Sequence, residues 1–103
     1  MLIYPALDRI FLALADPMRR YVVECLCDGE ESVGSLADRV PYSLPGLLQH
    51  LRVLEQSGLI RTYKRGRVRI CCIEPQALAL LDRWLTERRR IWDPWLRRLR
   101  SGG

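Results

Sequence analysis

The chain is poor in the residues that most chemistry uses. Its 103 residues include one histidine, one lysine and four cysteines. No apolar run approaches the 18 or so residues that a membrane span needs. The opening stretch MLIYPALDRIF lacks a basic start followed by an apolar segment, so it does not read as a signal peptide and a cytoplasmic protein is expected. No Gly-rich phosphate loop, paired histidine or Ser/His/Asp set lies on plausible elements, so no catalytic residue is assigned and no enzyme is expected. Cys25, Cys27, Cys71 and Cys72 fall as C-x-C and C-C. Those spacings match neither a zinc pattern nor the disulfide framework of a small secreted domain. No metal and no cofactor is expected.

What the chain does have is a core and a lopsided charge. A hydrophobic fraction of 49% and a charged fraction of 28% suit one globular domain over 1–103. Sixteen of the 17 basic residues are arginine, Lys64 being the exception, and the net charge is +5. Residues 1–56 carry a net −3 and residues 57–103 a net +8. An asymmetry of that size points the second half at a polyanion, nucleic acid or an anionic membrane surface.

The first half reads as helices. Ile3, Leu7, Ile10, Phe11 and Leu14 share one helical face. Asp16 before Pro17 is a helix start, and Gly29 ends that second helix. Ser32 caps a short third helix that Pro41 ends. Ser43, with Pro45 in the first turn, opens a fourth over 44–57, which Gly58 terminates. Short helices joined by tight connections are the layout of a helix-turn-helix.

The period then changes. Residues 59–73 alternate apolar and basic around RGR, which predicts a β-hairpin with its tip at Arg65, Gly66 and Arg67. Either Val68, Ile70 and Cys72 or Arg69, Cys71 and Ile73 face the core; the pattern leaves both registers open. After Pro75 a long helix begins, with Leu78, Leu81, Leu85, Arg88, Trp92, Trp95 and Leu99 on a heptad seam. Pro94 is expected to kink or restart it.

Helix-turn-helix followed by a basic hairpin is a winged helix, mainly α with a small hairpin, in the order α-α-α-α-β-β-α. ALADPMRR at 13–20, SVGSLADRV at 32–40, SLPGLLQHLRVLEQSGLI at 43–60 and the GR at 66–67 resemble the ArsR/SmtB family of bacterial transcriptional regulators. The resemblance implies a homodimeric repressor whose fourth helix enters the DNA major groove. It also implies that the terminal helices, 1–15 and 76–100, form the dimer interface. Leu48 departs from it, standing where the family usually has a small polar residue.

The residues support DNA binding on their own. Ser43, Pro45, Gly46, Gln49, His50 and Arg52 lie along the fourth helix, where short or polar residues let a helix approach base edges. Lys64, Arg65, Arg67 and Arg69 give the hairpin a charge cluster suited to phosphates or the minor groove. The expected partner is a double-stranded DNA operator, read by a homodimer through Leu7, Phe11, Leu81, Leu85, Trp92 and Trp95. The alternative function is a peripheral membrane or protein-interaction module built on the Trp/Arg-rich last helix. On a dimerising helix those tryptophans are interface anchors, and no membrane partner is expected.

The cysteines carry two readings. Residues two apart on a helix project about 200° from one another, and neighbours on a strand point to opposite faces. Neither pair is therefore a clamp by itself. Cys25, Cys27, Cys71 and Cys72 are packing thiols, or one from each segment meets in a redox switch that releases the operator.

Overall fold

A computed structural model describes residues 5–102, so Ile3 lies outside the described residues. The order is α1 (Pro5–Leu14), α2 (Pro17–Cys27), β1 (Glu31–Ser32), α3 (Val33–Ala37), α4 (Leu44–Gln56), β2 (Ile60–Arg65), β3 (Val68–Ile73) and α5 (Pro75–Arg100). This is the winged helix-turn-helix that the sequence implies, with one strand more than the hairpin.

Helix starts follow the capping residues. The Asp16 carboxylate accepts from the N–H groups of Met18 at 2.8 Å and Arg19 at 3.0 Å. Those backbone bonds, that of Arg19 first, hold the Asp16 carboxyl below its usual range, with His50 and Arg19 nearby acting in the same direction. Ser32 Oγ accepts from Ser35 N–H at 3.0 Å, and Ser43 Oγ takes the same role toward Gly46 N–H at 3.4 Å. The last turn of α1 has no basic residue of its own, and α2 supplies the missing donors. Arg19 Nε reaches the Ala13 carbonyl and Arg20 the Leu14 carbonyl, both at 2.7 Å. Gly58, at φ +86°, makes the left-handed exit from α4 that only glycine adopts easily.

The core lies between the helices and one face of the sheet. Val22, Leu36, Leu47, Leu54, Leu59 and Cys71 are wholly buried in it, with Ile10, Ala13, Leu51 and Ile60. The open question of register resolves in favour of Cys71 and Ile73, which belong to that core. Ile70 is also buried yet stands outside the core cluster, because it lies on the other face opposite Tyr63. Both sides of β3 thus shelter apolar side chains, so no alternating pattern could show which side was inside.

The sheet order is β1-β3-β2, all antiparallel. Glu31 pairs with Cys71 and Ser32 with Ile70. The two-residue hairpin turn holds Gly66 at φ +65° in its first position, where a type II′ turn requires positive φ.

α5 runs unbroken through Pro94, which corrects the expected restart. Proline removes one backbone bond, that to the carbonyl of Arg90, and Arg90 is an exposed residue, so the loss falls on the solvent side of the helix. Only Ala77 of this 26-residue helix is buried, and α5 packs chiefly against α1. No described helix is long and apolar enough to cross a membrane.

Candidate nucleic-acid interface

α4 divides cleanly into two faces. Leu47, Leu51 and Leu54 enter the core, fixing the helix by its buried stripe. Tyr42, just before the helix, and Leu44, Pro45, Leu48, Gln49 and Arg52 are exposed along the opposite side; Ser43 caps their N-terminal end and Gly46 is half-buried. The outward stripe repeats every three or four residues, so a helical reach into a groove presents all of them together. Leu44 and Leu48 are 51% and 43% exposed, too open for core residues. Their methyl groups suit thymine methyls, as the Gln49 amide suits adenine. Sequence reasoning missed Tyr42 and Leu44 as site residues. Subtracting the core stripe from the helical wheel finds Leu44.

His50 sits differently. It is half-buried, its ring centroid 5.6 Å from that of Tyr42 and tilted 45° to it. Its Nδ1 is buried with no hydrogen-bond partner among the described residues. His50 therefore leans on the turn that precedes α4 rather than sharing the outward stripe.

The wing stands beside this helix. Thr62 Oγ1 donates to Glu55 Oε2 of α4 at 2.9 Å, and Arg69 Nη1 donates to Thr62 Oγ1 at 3.0 Å. Arg69 and Lys64 face each other across the hairpin on the same side as Thr62. Arg65 lies on the other side and bonds Glu30 and Tyr63, each at 2.7 Å. Lys64, Arg67 and Arg52 have no ion pair or side-chain hydrogen bond among the described residues.

The cysteines separate by burial. Cys25 and Cys71 are buried, Cys72 is half-buried, Cys27 is exposed, and none is in a disulfide. Burial pushes the Cys71 thiol up to about 11, so it stays protonated at neutral pH and is a poor nucleophile. The described residues contain no group of three or more His, Cys, Asp or Glu that could hold a metal ion.

The residues named for the dimer face also separate. Leu7 is buried, and Leu81 is half-buried with one side packed on the core. Phe11, Leu85 and Trp95 are exposed. Trp92 is half-buried, its ring 6.1 Å from that of Trp84, which in turn meets Phe11 edge-on at 5.4 Å.

Known proteins share this fold. Residues 14–63 match the model of a helix-turn-helix domain. The chain is 39% identical over 89 residues to the HTH-type transcriptional regulator Rv2034 of Mycobacterium tuberculosis, covering 86% of this chain and 80% of that one. A crystal structure of an ArsR family transcriptional regulator superposes with a TM-score of 0.78 at 44% identity, covering 90% of this chain and 97% of that one. The homodimeric winged helix-turn-helix DNA-binding domain Mb0332 of Mycobacterium bovis shares the fold, with a TM-score of 0.68 at 22% identity over 81% of this chain and 80% of that one. Capped helices, an outward stripe on α4 and a basic wing thus meet in one chain that belongs to the ArsR family of winged helix-turn-helix transcriptional regulators.

Proposed function

We propose that the protein is a homodimeric repressor that occupies a dyad-symmetric DNA operator in the cytoplasm. The observation that carries this reading is the outward stripe of α4, left exposed beside a wing whose Lys64 and Arg67 have no side-chain partner among the described residues. Each α4 would enter a major groove, with Leu44, Leu48, Gln49 and Arg52 at base edges. Ser43, Pro45 and Gly46 shape its N-terminal approach, and His50 props the preceding turn. Wing cations meet the phosphate backbone, giving affinity without sequence information.

Dimerisation supports the reading because the protomer leaves Leu12, Ile91, Trp95 and Leu99 between 63% and 78% exposed, all on α1 and α5. A second copy covers such a face and sets the two recognition helices one DNA turn apart. Interface anchors are then Phe11, Leu85, Trp92 and Trp95, joined by Ile91 and Leu99. Cys71 is read as a packing residue, since burial holds its thiol protonated.

Selection from a random duplex library tests the proposal. It should return a palindromic site with half-sites about one helical turn apart. Gln49→Ala should cost about 1–3 kcal/mol at one base pair and relax the preference there. Binding to anionic vesicles with no duplex preference would instead support the peripheral membrane module.

A further inference from the structure

The wing's basic residues are not equivalent. Arg65 Nη2 donates to Glu30 Oε1 and to Tyr63 Oη, and Tyr63 Oη donates to Glu30 Oε2, all at 2.7 Å. The three side chains close a ring of hydrogen bonds. Glu30 lies in the connection before β1, 35 positions from Arg65, so the ring ties the wing tip to the helical body. The Tyr63 ring has Arg65 Cζ at 5.6 Å and Arg61 Cζ at 6.0 Å from its centroid. Arg61 in turn lies 3.7 Å from Glu74.

We infer, on the reading of the wing as a DNA-backbone contact, that Glu30 withholds Arg65 from phosphate, so that Arg65 positions the wing while Lys64 and Arg67 carry its charge to the DNA. An exposed ion pair is weak on its own. Here the carboxylate is met by two donors that also bond each other, and the arginine lies against a ring, so leaving means breaking all of these contacts together. Alternation along β2 adds a geometric reason. Lys64 and Arg65 point to opposite faces, and only Lys64 is on the side that α4 shares. Arg67 stands in the turn itself. Glu30 therefore sets how many phosphates the wing neutralises.

The salt dependence of operator binding counts those phosphates, because each one neutralised contributes about 0.9 to the slope of log K against log salt. In the full-length protein, Lys64→Ala and Arg67→Ala should each flatten the slope by about that amount. Arg65→Ala should leave the slope as in wild type and weaken binding only about threefold, a loss of register rather than of charge. Glu30→Ala should release Arg65 and steepen the slope by about 0.9, and the double variant Glu30→Ala/Arg65→Ala should return it to the wild-type value. A flattening in Arg65→Ala equal to that in Arg67→Ala overturns the inference.

A readout without DNA separates this inference from the proposed function. The bond to Glu30 raises the Tyr63 phenol above its ordinary pKa. Ultraviolet titration should therefore show one tyrosine ionising at lower pH in Glu30→Ala than in wild type. An unchanged titration means the ring does not form, and the inference fails even where the wild type binds its operator. Wild type that binds no duplex refutes the proposed function and the wing's role with it, while the titration still reports the ring.

Discussion

The helical body and the last helix are built on opposite rules. Between α2 and β3 the large aliphatic side chains are mostly covered within the chain, Leu44, Leu48 and Val68 excepted, with Leu36, Leu47, Leu54 and Leu59 wholly buried. In the 26 residues of α5 one alanine is buried, while Ile91, Trp95 and Leu99 stand 72%, 63% and 78% exposed. At 1.5 Å per residue α5 is about 39 Å long, much of it beyond the body. A helix so uncovered gains little from its own protomer and much from a neighbour, since helical stability comes mainly from burying an apolar face. The body stores the fold; on the proposed function, α5 stores the assembly.

Three measurements bear on that contrast, and the largest effect lies in the body. Leu54→Ala leaves a cavity under α4 and should lower unfolding free energy by about 2–5 kcal/mol. Chemical denaturation reads this directly, and a loss well under 1 kcal/mol would mean that the body is not the stability centre. The second effect belongs to α5. Ile91→Ser combined with Trp95→Ser should leave the far-ultraviolet spectrum native-like and convert a dimer of twice 12.0 kDa into a monomer by sedimentation. A dimer that survives both changes would move the interface elsewhere.

The smallest effect concerns the thiols. Alkylation of the native protein at neutral pH should label Cys27 first, being the exposed one, and should spare Cys71 until the chain unfolds. Operator affinity should stay unchanged after that native-state labelling. A large loss of affinity on mild oxidation, restored by reductant, would replace the packing reading with a switch.

The helical half was readable because each helix carries a local stop or start. Asp16, Ser32 and Ser43 bond N–H groups two or three residues ahead, and a cap acts within one turn of chain. The hairpin tip was readable for the same reason, through Gly66. What escaped was non-local. β1 is two residues long and exists only because β3 passes beside it, so no period marks it. Glu30 and Arg65 meet across 35 positions, and nothing near either residue announces the other. Leu7 and Leu81 fit an interface stripe by spacing, yet the fold buries Leu7 and covers one side of Leu81 with the core. Spacing reports a face and not what covers it.

Ser32 belongs to two elements at once. Its backbone pairs with Ile70 in the strand that carries the wing, and its hydroxyl holds the first turn of α3. Wing and helix-turn-helix therefore share one joint at Ser32. Glu55 and Thr62 brace the same pair from the far side. On the proposed function, a reader built this way should act as a caliper of fixed span. It should discriminate among DNA sequences partly by groove width and by their willingness to bend, at base pairs that no side chain touches.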